Sequence, residues 1–170
     1  MRFSLLPSLI TNGITDLTPQ FLVEQGIRLL MLDFDNTIVP YTTNEPTEEM
    51  ARWLKTMTAS KIQVCVVSNS RKDRVKIFCE EYGIDCITHA KKPFSRGIKQ
   101  CLARYDLPAE ECALAGDQIY TDVLGANCAG ARSILVSAIN NHNFWLKARH
   151  VLEIPFILIA RKRRIHYEKH

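Results

Sequence analysis

What this chain lacks sets the first limits on what it can be. No stretch of its 170 residues approaches the roughly 18 consecutive apolar residues that cross a bilayer; the longest run near its end, Ile154 to Ala160, is far shorter. It is therefore expected not to span a membrane. The six cysteines (Cys65, Cys79, Cys86, Cys101, Cys112 and Cys128) contain no CxxC pair, and no secretory signal precedes them. Scattered thiols of this kind are expected in a cytoplasmic protein, and Cys65 and Cys112, inside apolar runs, are expected to pack as small hydrophobes. Internal repeats and low-complexity segments are also absent.

What is present is ordinary soluble-protein composition, 46% hydrophobic and 24% charged, in a length that suits one domain. The net charge of +4 is uneven: from Lys147 to His170 seven Lys/Arg stand against two Glu, leaving the rest slightly acidic. Basic character belongs to the tail.

Local signals alternate strand and helix. Thr18, Pro19 and Gly26 frame a helix over 18–25. The near-continuous apolar run Ile27 to Leu32 predicts a strand buried on both faces of a parallel sheet, with Asp33 at its carboxyl end. Helices are predicted over 46–60, 71–82, 95–105 and 121–129, and further strands over 62–67, 84–88, 112–115 and 133–136. This rhythm predicts an α/β fold of three layers, a central parallel sheet flanked by helices.

In such sheets ligands bind beyond the carboxyl ends of the strands. The residues there are Asp33 and Asp35, then Ser68 and Asn69, then Lys92, then Asp117 followed by Asp122. Crowded carboxylates repel unless a cation joins them. An oxygen-only set without His or Cys beside it favours Mg²⁺ over Zn²⁺, and Mg²⁺ keeps company with phosphate. Plainer roles exist for some members: Ser68 also suits a helix cap, Lys92 a solvated surface position, and Asp122 a helix cap. Gly116, Gly125 and Gly130 need be no more than turn and packing residues.

The ordered set Leu32-Asp33-Phe34-Asp35-Asn36-Thr37, Ser68, Lys92 before Pro93, and Gly116-Asp117-Gln118-Ile119-Tyr120-Thr121-Asp122 resembles the four motifs of the haloacid dehalogenase (HAD) superfamily. The resemblance implies a Rossmann-like fold and a phosphohydrolase. It further implies Asp33 as nucleophile forming an aspartyl-phosphate and Asp35 as acid/base. Metal would be held by the carboxylates of Asp33 and Asp117 and the carbonyl of Asp35. Ser68 and Asn69 would bind phosphoryl oxygens, with Lys92 offsetting charge on Asp33 and phosphate, and Asp122 standing behind as a second layer. About thirty residues separate Thr37 from Ser68, and Ser70 to Lys91 holds one helix and one strand, so no cap domain is expected.

Leu6-Pro7-Ser8, Ile14-Thr15-Asp16-Leu17-Thr18-Pro19, Ala90-Lys91-Lys92-Pro93 and Gly116-Asp117-Gln118 extend the likeness to the YqeG family of subfamily IIIA, similar to the mitochondrial phosphatidylglycerophosphate phosphatases. The first motif lacks the lysine of the mitochondrial branch. The expected organisation is a capless phosphatase domain over 1–146 and a basic, apolar tail over 147–170. The resemblance implies a phosphomonoester substrate, with a phospholipid preferred over nucleotides, sugar phosphates and phosphoproteins. A non-catalytic phosphate- and Mg²⁺-binding protein is the reading from another class, disfavoured because every expected catalytic position is filled. Phe144 and Trp145, the apolar 154–160 run and Arg161-Lys162-Arg163-Arg164 would suit peripheral contact with an anionic membrane as well as a core-packing helix with a solvated charge run. Nucleic acid is not favoured, because aromatic residues are sparse among the basic ones.

Overall fold

The computed structural model describes residues 3–139, apart from 41 and 44, and of the remaining chain residues 158, 166 and 167. Its organising element is strand β2, Leu29–Leu32, whose four side chains are all buried. Parallel neighbours flank it: β3, Gln63–Val67, on one side and β5, Cys112–Gly116, on the other, with Leu30 opposite Val64 and Ala113. Beyond them lie β4, Asp85–Ile87, at one edge, and β6, Arg132–Val136, β1, Leu9–Thr11, and β7, His166–Tyr167, at the other. The order is β4-β3-β2-β5-β6-β1-β7, parallel throughout.

Alternation along β2 divides the core into two layers. Leu30 and Leu32 join a cluster that contains Leu22 of α1 (Pro19–Glu24), Met50, Trp53 and Leu54 of α2 (Glu48–Thr58) and Val75 and Phe78 of α3 (Arg74–Tyr82). Leu29 and Met31 face the other way, against Ile98 and Cys101 of α4 (Arg96–Tyr105) and Ala126 of α5 (Leu124–Ala129). The three-layer α/β architecture is as the sequence predicts.

The helix boundaries follow from chemistry that can be named. Thr18 accepts a hydrogen bond from the Phe21 amide and Pro19 opens α1, while Thr47 accepts from the Met50 amide and Glu48 and Glu49 fill the first turn of α2. Gly83 closes α3 in the left-handed region. Three features depart from expectation. β1 occupies a stretch too short to show a period, and it pairs with β6. β7 brings residues 166–167 to the sheet edge beside β1. The single helix expected over 121–129 instead begins with a π-turn, Ile119–Val123, before α5.

Between β2 and β3 the one helix is α2, and among the described residues no inserted domain covers the carboxyl edge. No helix of the described residues is long and apolar enough to cross a membrane. All six cysteines are free, five of them buried. The membrane-contact reading of the tail over 147–170 falls outside the described residues, save for those named above.

Trp53 ties α2 to the opening segment, since its indole N–H donates to the Leu17 carbonyl at 2.7 Å in a buried setting. Replacement by alanine removes both the ring and this bond. Trp53→Ala is expected to cost about 3–5 kcal/mol in chemical denaturation followed by circular dichroism, the range for deleting a buried aromatic; a loss under half of that would contradict the packing described.

Candidate active site

Strand order reverses at β2: β3 and β4 follow on one side, β5 and β6 on the other. Such a switch point opens a crevice at the carboxyl ends of the strands. Asp33 follows β2 there, its amide donating to the Ala115 carbonyl of β5 at 2.9 Å, and Asp117 follows β5. Adjacent register alone therefore brings two acids separated by more than eighty residues to one place.

The third acid arrives by a different device. The π-turn gives the amides of Asp122 and Val123 a shared acceptor, the Gln118 carbonyl, at 2.9 and 3.2 Å. The Asp122 carboxylate turns back, accepting from the Gln118 amide at 3.1 Å. A Cβ on Gly116 would lie 2.3 Å from Asp122 Oδ2, so the residue before Asp117 must be glycine for Asp122 to lie there. The need is for room, not for φ, and it exceeds the plain turn role expected of Gly116. Asp33, Asp117 and Asp122, all buried, present oxygens within 4.8 Å of one another.

Lys92 lies between them. Its ammonium is 2.6 Å from Asp33 Oδ1 and 2.7 Å from Asp122 Oδ1, with a side chain 1% exposed, which excludes the solvated surface position. Asn69 fixes the lysine from behind, its carbonyl oxygen accepting from the Lys92 amide at 2.7 Å and its amide nitrogen donating to the Lys92 carbonyl at 2.9 Å. Asn69 was expected to address phosphate; in the structure both ends of its amide engage the Lys92 backbone. Non-glycine residues His89 and Lys91 take left-handed backbone conformations on either side of Ala90, each costing about 1–3 kcal/mol unless the surroundings hold it. Part of that hold comes from Gly97 of α4, where a Cβ would meet Ala90 Cα at 2.6 Å.

Ser68, at the end of β3, is 1% exposed. Its hydroxyl oxygen accepts from the Ser70 amide at 3.1 Å, so it closes the turn after β3; α3 begins later, at Arg74, without a side-chain cap. Asp35 follows Phe34, which packs into the core against Phe78 with ring centroids 5.2 Å apart. Asn36, left-handed at φ 66°, then turns the chain so that its amide reaches the Val39 carbonyl at 2.7 Å.

Arg74, absent from the sequence expectations, forms an ion pair with Asp35. Its guanidinium lies 5.2 Å from the Phe34 ring centroid and donates to the Thr43 carbonyl at 3.1 Å. The distance of 39 residues between the partners leaves no periodic signal from which the pair could have been read.

Burial is the largest influence on the Asp33 carboxyl. Lys92 pulls against it, Asp122 and Asp117 add to it, and the balance raises Asp33 to about 7. For Lys92 burial acts to lower the pKa, but Asp122 and Asp33 overcome it and leave the ammonium raised. Three buried carboxylates against one shared ammonium form an anionic centre that an additional cation would stabilise.

A family model described as mitochondrial PGP phosphatase matches residues 2–139. The chain belongs to that family. It is also 32% identical over 163 residues to the probable phosphatase YqeG of Bacillus subtilis, covering 96% of this chain and 95% of the relative. The family is one of HAD-type phosphatases, phosphoric monoester hydrolases. Solved structures agree on the fold: a hypothetical protein of Xanthomonas campestris superposes with a TM-score of 0.57 at 16% identity over 78% of this chain and 79% of that one. A cobalt-bound deoxy-D-mannose-octulosonate 8-phosphate phosphatase of Haemophilus influenzae gives 0.52 at 14% identity, over 76% and 89%.

Removing one partner of a buried ion pair strands the charges that remain. Lys92→Met is expected to lower unfolding free energy by about 3–5 kcal/mol in chelator, with part of the loss recovered on adding Mg²⁺. Native-like stability in chelator would show that the acids do not depend on this lysine.

Proposed function

We propose that this phosphatase is Mg²⁺-dependent and acts through an aspartyl-phosphate on Asp33, with phosphatidylglycerophosphate as its substrate. The observation that carries the mechanism is the convergence of Asp33, Lys92, Asp117 and Asp122 at the carboxyl edge of β2 and β5. A hard dication fits this set, because the donors are all oxygens, three carboxylates crowd within 4.8 Å, and one ammonium is shared by two of them. Asp33 and Asp117 would hold it together with the Asp35 carbonyl, and Asp122 faces the same cluster. Bound there, Mg²⁺ supplies charge neutralisation that lets one anion approach another.

The chain's own residues perform the rest. A carboxylate oxygen of Asp33 attacks phosphorus as the bond to the leaving oxygen breaks. Asp35 gives that oxygen its proton, then takes one from the water that attacks the aspartyl-phosphate, releasing phosphate and restoring Asp33. Lys92 holds the nucleophile in place and offsets its charge, the Ser68 hydroxyl meets a phosphoryl oxygen, and Asn69 serves by fixing Lys92. Arg74 keeps the Asp35 carboxyl in position. The family description and the uncapped edge support a phosphate presented on a large body over a small free metabolite.

The direct assay is phosphate release by the purified chain with Mg²⁺ and with chelator, on lipid, sugar, nucleotide and protein phosphates. Asp33→Asn is expected to fall to enzyme-free controls, and Asp35→Asn to lose about 10²–10⁴-fold in rate, the usual worth of a general acid/base. Hydrolysis retained in Asp33→Asn would overturn the mechanism, and equal rates on all substrates would remove the phospholipid assignment.

Arg74→Ala should lower kcat by up to about 10²-fold, as misplacement of a reacting group does, with little change in KM. Arg74→Lys, which keeps the charge, should regain part of the loss. A change confined to KM would instead place Arg74 on the substrate.

A further inference from the structure

Helices in a parallel sheet of this kind run against the strands, so the N-terminal ends of α4 and α5 lie at the same carboxyl edge as Asp33 and Asp117. Between those ends is a groove of about 540 Å³ with an apolar floor that includes Pro93, Leu124 and Cys128. Pro93 is the residue after Lys92, and Leu124 follows Asp122 by two positions, so the groove borders the catalytic cluster. Two phenylalanines on its margin face solvent, Phe3 at 82% and Phe94 at 74% exposure. Exposed apolar side chains gathered around one groove mark an interaction surface, where singly scattered ones would not. The N-terminal segment that carries Phe3 is pinned to α5, for the Asn127 amide donates to the carbonyls of Ser4 at 2.7 Å and Leu6 at 3.1 Å.

Charge identifies the occupant. Arg96 and Lys99 stand at the groove, exposed Lys91 lies in the loop before α4, and no acid is among the groove's lining residues within the described chain. Apolar side chains ringed by cations complement a surface that is anionic outside and hydrocarbon beneath. We infer that Phe3, Phe94, Arg96 and Lys99 form a docking face for an anionic phospholipid bilayer, the phenylalanines entering it and the two cations meeting its headgroups. This rests on the phospholipid reading above and deepens it: the catalytic edge would be turned toward the membrane through the α4–α5 side. The proposed surface is built from residues between Phe3 and Lys99 and includes none from 147–170.

The test uses the full chain in co-sedimentation with sucrose-loaded vesicles, either of phosphatidylglycerol mixed equally with phosphatidylcholine or of phosphatidylcholine alone. The native chain is expected to sediment with the anionic vesicles at low salt, to come off as salt rises, and to ignore the neutral ones. Lys99→Glu reverses one charge and should weaken binding roughly 25-fold, about fivefold for each unit of charge; Phe94→Ser should weaken it further. Both positions are exposed and outside the catalytic set, so melting temperature and Mg²⁺-dependent hydrolysis of p-nitrophenyl phosphate should stay at native levels. Native chain that binds neither vesicle, or both alike, overturns the docking face and leaves the groove to a protein partner. Variants that bind like the native chain overturn it too, by assigning the contact to the unaltered tail. The soluble assay separates these outcomes from failure of the phosphatase mechanism, since vesicle binding is measured without catalysis.

Discussion

An ammonium buried between two carboxylates, Lys92 between Asp33 and Asp122, is the contact on which the rest of this edge depends. Neither acid could be buried so fully without it, since desolvation of a lone carboxylate costs several kcal/mol. Satisfying that pair makes demands at a distance. The lysine must enter from a loop with unusual backbone angles, which Asn69 grips by both polar ends and Gly97 allows α4 to press against. The aspartate must swing back over the end of β5, which requires the π-turn and a residue without a side chain at 116. The acidic cluster at this edge is thus assembled from constraints supplied by four separate loops.

Both helical layers contribute to it. From the α4–α5 side come Lys92 and Asp122, an arrangement centred on charge neutralisation. From the α3 side comes Arg74, paired with Asp35 and lying against Phe34, whose ring is in turn packed on Phe78. Asp33 and Asp35 are two residues apart in sequence yet are paired with different cations, Lys92 from the loop before α4 and Arg74 from the first turn of α3. The two acids are thereby held separately: a change on α3 reaches Asp35 without passing through Lys92.

The architecture was legible because long apolar runs bounded by polar residues have few alternatives. Ile27 to Leu32 and Cys112 to Ala115 could hardly be anything but buried strands, and their ends placed Asp33 and Asp117 in one crevice. Shorter or subtler features were not legible. Leu9–Thr11 has too few residues for a period. A π-turn and an α-helical turn have the same amphipathic look in sequence, so Asp122 read equally as a cap and as a member of the site. Asn69 invited a role toward phosphate because amides bind phosphate; its engagement with the Lys92 backbone depends on a contact across 23 residues. The Arg74–Asp35 pair likewise depends on tertiary placement, which no local pattern encodes.

The position of β2 also bears on how the chain is made. β2 ends at Leu32 and obtains its second neighbour, β5, only from Cys112 onward, 80 residues later. At about 5–20 residues per second a ribosome leaves that apolar edge unpaired for roughly 4–16 s. Throughout that interval a strand that is buried along its whole length in the finished fold is a template for mispairing with another nascent copy. The interior location that encloses Asp33 in the finished fold leaves β2, the strand before it, open to error during synthesis.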